Sequence, residues 1–252
     1  MRAELDEDFD GPGLDRSVWL PHYLPAWSSR DATAAAHDVA GSRLRLFIPP
    51  DQGLWCAGDH RPDMRVSAIQ SGSFSGPVGS TVGQQPYRER LTVREEQPPF
   101  WGCTPRYGRI EMRARADLRP GSMAAFWLVG LEDRPERSAE ICVMEVFGDA
   151  LEPGRWAAVG MGLHAFRDPH VVEDFTAVRL PIDVAEPHDY AVDWREDRAD
   201  LLVDGVLVRS VAGPPTYPVQ LMLGVFDFPG TSEDAQFVPA LEVEHVRVRP
   251  TG

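Results

Sequence analysis

The chain has 252 residues, 43% of them hydrophobic and 9% aromatic, with 25 basic side chains against 39 acidic ones and a formal net charge of -14. That length can bury an ample core, and no apolar run approaches the ~18 residues of a membrane span. The negative field repels phosphate backbones, which argues against a nucleic-acid partner and, on the same ground, against an anionic polysaccharide.

Short β-type runs follow one another along the chain. In order they are 44–48, 65–70, 108–116, 123–129, 139–147, 157–165, 188–194, 199–203, 206–211, 219–226 and 241–248. No segment carries a long helical period. The 23 prolines and 22 glycines are spread throughout, as expected of many strands joined by turns. Asp204-Gly205, between two apolar runs, predicts a type I′ hairpin, whose central residues need positive φ. Such runs build an all-β, two-sheet antiparallel sandwich. With no linker or repeat in sight, residues 1–252 read as one domain, expected to be a monomer. Residues 71–100 differ, being Gly-rich and then Pro-rich with little periodicity, and ordered loops of that length are commonly functional.

The most informative stretch is Glu140-Ile141-Cys142-Val143-Met144-Glu145, where two carboxylates stand in a run apolar enough to be buried. In a strand, side chains alternate faces, so Glu140 and Cys142 share one face and Glu145 points the other way. One extra residue, a bulge around Val143-Met144, returns Glu145 to the face of Glu140, and bulges often lie beside active sites. The two backbones then stand roughly 13 Å apart, four strand steps. Inward-leaning side chains would approach the ~5–5.5 Å carboxyl separation of retaining glycosidases.

Every basic residue is arginine, so Schiff-base chemistry and a P-loop lysine are excluded. Asparagine is also absent, which removes N-glycosylation. Cys56, Cys103 and Cys142 form no metal-type pair, and an odd count leaves at least one outside any intramolecular disulfide. Met1-Arg2-Ala3-Glu4 leads into an acidic segment without an apolar signal region. The expected compartment is cytoplasmic, or extracellular if a signal has been trimmed.

The pattern resembles glycoside hydrolase family 16, the laminarinase and lichenase group, which carries Glu-x-Asp-x-(Met)-Glu on a bulged strand. Glu7 to Gly11 with Leu14 to Trp19, Tyr107 to Arg113, Ala125-Phe126-Trp127, Tyr190 to Trp194, Val203-Asp204-Gly205 and Val246 to Val248 are similar to the family's other motifs, in the same order. The resemblance implies a concanavalin A-like jelly roll with a concave cleft, bordered at one end by the 71–100 loop. It implies a retaining endo-β-glycosidase acting on a neutral polysaccharide such as β-1,3-glucan. Glu140 would be the nucleophile and Glu145 the acid/base. It also matches His164 to a histidine near the acid/base, and Trp127 to a sugar-stacking tryptophan. Trp101 and Trp55, near turns, are further candidates for the rim of the cleft, since indoles stack on the C–H faces of sugars. Trp19 and Trp194 read as core. Asp8 and Glu244 match two ligands of a structural calcium in many members, and their oxygens suit a hard cation. No other cofactor is implied.

Cys142 departs from the family at its middle Asp. A thiol is mostly neutral at neutral pH, so the site lacks one negative charge that would raise the acid's pKa. Two outcomes follow: an enzyme with reduced, acid-shifted or altered activity, or a catalytically silent, lectin-like module.

Overall fold

The computed structural model describes residues 4–230 and 236–250. In chain order the strands are β1 (Leu5–Glu7), β2 (His37–Val39), β3 (Leu44–Phe47), β4 (Arg65–Gln70), β5 (Gly72–Ser73), β6 (Phe100–Trp101), β7 (Gly108–Asp117), β8 (Ser122–Gly130) and β9 (Glu140–Phe147). They continue with β10 (Leu151–Glu152), β11 (Trp156–His164), β12 (Asp174–Leu180), β13 (His188–Trp194), β14 (Arg198–Val203), β15 (Val206–Ala212), β16 (Val219–Asp227) and β17 (Ala240–Arg249). All eleven expected strands are present with ends shifted by no more than a residue.

One sheet runs β15-β14-β13-β7-β17-β3-β2, with β1 also on β17; the other runs β10-β11-β9-β8-β16-β4, with β12 on β11; β5 and β6 form a small ribbon. All pairings are antiparallel. The two large sheets pack face to face, giving the expected jelly-roll sandwich. The core between them joins Ile110 and Met112 of β7 to Phe126 and Leu128 of β8, Ile141 and Val143 of β9, and Val159 and Met161 of β11. Strict alternation on β7, buried at every second residue, leaves its other face to charged pairs such as Arg109–Asp193 and Arg113–Glu244. Trp19 and Trp194 are fully buried in this core. At the β14–β15 turn Asp204 (φ 51) and Gly205 (φ 75) adopt the expected conformation.

The second sheet is covered on part of its outer face as well. Loops carrying Trp27, Trp55, Leu91 and Val93 pack on Val66, Ala125, Trp127, Val129 and Phe226. Two-sided burial explains why β8 reads as one continuous apolar run instead of alternating. Beside these loops a cleft remains, lined by residues of β8, β9 and β16 and by His164 at the end of β11.

The candidate active site

The predicted bulge is present, and both neighbours of β9 record it. On β8, Phe126 faces Met144 and the next residue, Trp127, faces Cys142; on β11, Gly160 faces Glu145 and Gly162 faces Cys142. Val143 and Met144 both turn into the intersheet core. The sequence forces this, because a regular strand would bury one charged or one apolar residue on the wrong side. Glu140, Cys142 and Glu145 therefore stand opposite Val129, Trp127 and Ala125, alternate positions of β8, and line one cleft of about 390 Å³.

Gly162 makes the partner strand fit. It has φ 140, and a Cβ there would lie 2.0 Å from the Asp174 carbonyl oxygen of β12. Gly162→Ala is expected to cost about 1–3 kcal/mol through strain and overpacking. Thermal denaturation would read this as a lower Tm, and an unchanged Tm would mean that β12 yields freely.

Glu140 is 7% exposed and is met by the Gln85 amide, Nε2 donating to Oε2 at 3.3 Å. Burial first, then the charges of Glu145 and Glu173, push its pKa up to about 8, against the opposing Gln85 bond. Glu145 is less buried; desolvation raises it while His164 opposes. Burial also lifts the Cys142 thiol well above its usual range, and the Cys142 Sγ donates to the Gly160 carbonyl at 3.6 Å. Burial thus favours a neutral thiol and the protonated form of Glu140 in the cleft. The motif alone puts the question of proton retention at Glu145, whereas burial makes Glu140 the tighter holder.

His164 ends β11 opposite Glu140 and lines the cleft. Its Nδ1 lies 2.6 Å from Glu173 Oε1, and its ring stacks on Phe175 at 4.4 Å. It contacts neither Cys142 nor Glu140 by hydrogen bond among the described residues. Since the Glu173 charge is one cause of the raised Glu140 pKa, Glu173→Gln is expected to move the alkaline limb of a pH–rate profile to lower pH. A limb that stays in place would show that solvent screens this charge.

The tryptophans divide. Trp127 lines the cleft beside Cys142, tilted against Phe226 at 6.2 Å. Trp55 does not line it: its Nε1 donates to the Tyr23 carbonyl at 3.1 Å, and Tyr23, His60 and Tyr87 pack edge-on around its ring. It buttresses Tyr23 and His60, which do face the cleft. Trp101 lies on the β5–β6 ribbon opposite Gly72 and is also outside the lining. Gln85, from the 71–100 loop, reaches the cleft, together with Phe147 at the end of β9 and with Tyr23, His60, Phe166 and Phe228, which carried no local sequence signal.

Asp8 and Glu244 do not fit a calcium pair. Arg247 holds Asp8 at 3.0 Å, while Arg43 and Arg113 hold Glu244 at 3.2 and 3.0 Å. Guanidinium groups already supply the positive charge there. Among the described residues no three His, Cys, Asp or Glu side chains are grouped to hold a metal. Cys56, Cys103 and Cys142 are all buried, and none forms a disulfide among the described residues. No helix is long and apolar enough to cross a membrane among the described residues.

Comparison with known proteins agrees with this architecture. The family model described as "Glycosyl hydrolases family 16" matches residues 104–236. Among solved structures, the GlcNAcα1-4Gal-releasing endo-β-galactosidase from Clostridium perfringens superposes with a TM-score of 0.81 at 23% identity, covering 98% of this chain and 62% of that one. This chain therefore spans less than two thirds of that protein. The laminarinase catalytic domain from Thermotoga maritima MSB8 gives 0.68 at 17% identity, covering 98% and 97%. Laminarinase from Flavobacterium sp. UMI-01 gives 0.64 at 20%, covering 97% and 98%. No curated protein matches the sequence. At these identities the likeness is one of fold.

Proposed function

The chain belongs to glycosyl hydrolase family 16, and from that membership we propose that it is a retaining endo-β-glycosidase acting on a polysaccharide such as β-1,3-glucan. The observation that carries this reading is the β9 bulge, which delivers Glu140 and Glu145 to one cleft from a single strand. Glu140 attacks the anomeric carbon; Glu145 protonates the leaving oxygen and then activates water against the glycosyl-enzyme. Trp127, 5% exposed and lining the cleft beside the pair, is an indole of the kind on which sugar rings stack. The reaction needs Glu140 ionised and Glu145 protonated, so the proton that burial assigns to Glu140 must move.

A second reading, a module that binds sugar without cleaving it, is favoured by the same burial, which opposes ionisation of Glu140. Reducing-sugar release from laminarin, lichenan and agarose across pH, beside oligosaccharide binding, separates the two. Release supports the glycosidase. Binding with no release at any pH supports the lectin-like module and rejects the enzyme.

A further inference from the structure

The cleft does not end at the glutamates. Gln85 and Phe166 line both it and a second cavity of about 370 Å³; Pro86, Tyr87 and Arg167 line that cavity and a third of about 530 Å³. The walls of the third carry Arg88, Arg90 and Arg167, with Glu89 their one acidic neighbour in the lining.

These arginines are not neutralised one for one. Arg88 and Arg94 share a single carboxylate, Asp59, at 2.9 and 2.8 Å, and Tyr87 donates to it as well at 2.9 Å. Arg167 pairs with the buried Glu132. Arg90 is exposed and has no ion pair among the described residues. The second and third cavities together are lined by three guanidinium groups (Arg88, Arg90, Arg167) and two carboxylates (Glu89, Glu132), in a chain with 25 basic against 39 acidic residues. Local fields in a groove follow the groups that line it, not the net charge.

The backbone is committed here too. Gln85 (φ 43), Arg90 (φ 56), Glu132 (φ 55) and Phe166 (φ 45) all take left-handed conformations that non-glycine residues seldom adopt, and such strain gathers at ligand-binding segments. The Gln85 amide donates to Glu132 at 2.5 Å and its side chain to Glu140 at 3.3 Å, linking this end to the nucleophile.

We propose that the arginine-walled end of the cleft is a subsite for an anionic substituent, a sulfate ester or a carboxylate, on the polysaccharide. Planar guanidinium groups suit both oxyanions. The inference rests on the glycosidase reading for the path of the sugar chain, and it adds to that chain an anionic substituent, which the overall charge alone argued against.

The test is calorimetric binding to the Glu140→Gln protein, which holds substrate without turning it over. Its probes are oligosaccharides of matched length: neutral, sulfated and uronate-containing. The variant Arg88→Ala/Arg90→Ala leaves the Arg167–Glu132 pair intact. Binding of at least one anionic probe should exceed that of the neutral one, fall roughly three- to tenfold in the variant, and weaken with salt. Neutral-probe binding should be unchanged in the variant. The arm that responds identifies sulfate or carboxylate as the source. Equal affinity for all three probes, or an unaffected variant, overturns the subsite and leaves the glycosidase reading standing; no binding of any probe overturns both.

Discussion

Replacing Glu140 with Gln is expected to abolish glycoside cleavage, by roughly ten-thousand-fold or more in kcat, as removal of a covalent nucleophile does elsewhere. The same change should stabilise the protein. Native Glu140 keeps its proton up to about 8, whereas an unfolded glutamate releases it near 4.5. Across that window the unfolded chain binds fewer protons, so wild-type stability falls as pH rises, by at most about 1.4 kcal/mol per pH unit. Glutamine cannot ionise and escapes this loss. Thermal melts should therefore show a higher Tm for Glu140→Gln at pH 8, with the gap closing towards pH 4.5. A dead variant that is also more stable cannot be explained by misfolding; a variant that is active, or less stable at alkaline pH, contradicts the role given to this buried carboxyl.

Cys142→Asp should raise kcat, and its size follows from the proton arrangement. Between its two ionisations the Glu140–Glu145 pair holds one proton, and burial places it mainly on Glu140, opposite to what retaining chemistry requires. The productive arrangement is a minority form with a constant share across that range. Wild-type activity should be bell-shaped in pH, with its alkaline limb near the Glu140 value of about 8 and its acid limb above the ordinary glutamate range, since both carboxyls are raised. An Asp at 142, two residues from Glu140 on the same face, would be kept protonated by the same burial instead of carrying the negative charge expected from the sequence, and could donate an O–H to the Glu140 anion. Hydrogen bonding to the charged form lowers its pKa, which moves the proton to Glu145. One or two pKa units of redistribution correspond to about ten- to a hundredfold in the productive form. Steady-state rates against pH for the two proteins check this. A variant no faster than wild type at any pH would mean that the thiol is not what limits the site.

Much of this architecture was legible in the sequence because the signals are local. Ile141, Val143, Val146 and their neighbours demand burial, and two carboxylates among them can share a face only through an extra residue, so the bulge could be located before any coordinates. What was missed depends on partners distant in sequence. β12 is an edge strand whose side chains are largely exposed, so no buried face marks it. Trp55 sits near a turn, as a rim residue would, yet Tyr23, His60 and Tyr87 close around it. Asp8 and Glu244 suggested a cation, but arginines from neighbouring strands take both. Tyr23, His60, Gln85 and Glu173 arrive from loops, where nothing in the local pattern announces a cleft. The proton order was also hidden, because it depends on depth: Glu140 lies deeper than Glu145, a difference set by the loops packed over that end of β9.

A crystal structure of the Glu140→Gln protein with a bound β-linked oligosaccharide would test the arrangement of the pair most directly. The sugar chain is expected to lie across the outer face of β9, its anomeric carbon over residue 140 and the glycosidic oxygen within hydrogen-bonding reach of the Glu145 carboxyl. An oligosaccharide seated elsewhere, or a side chain at 145 turned away from the bond, would contradict it.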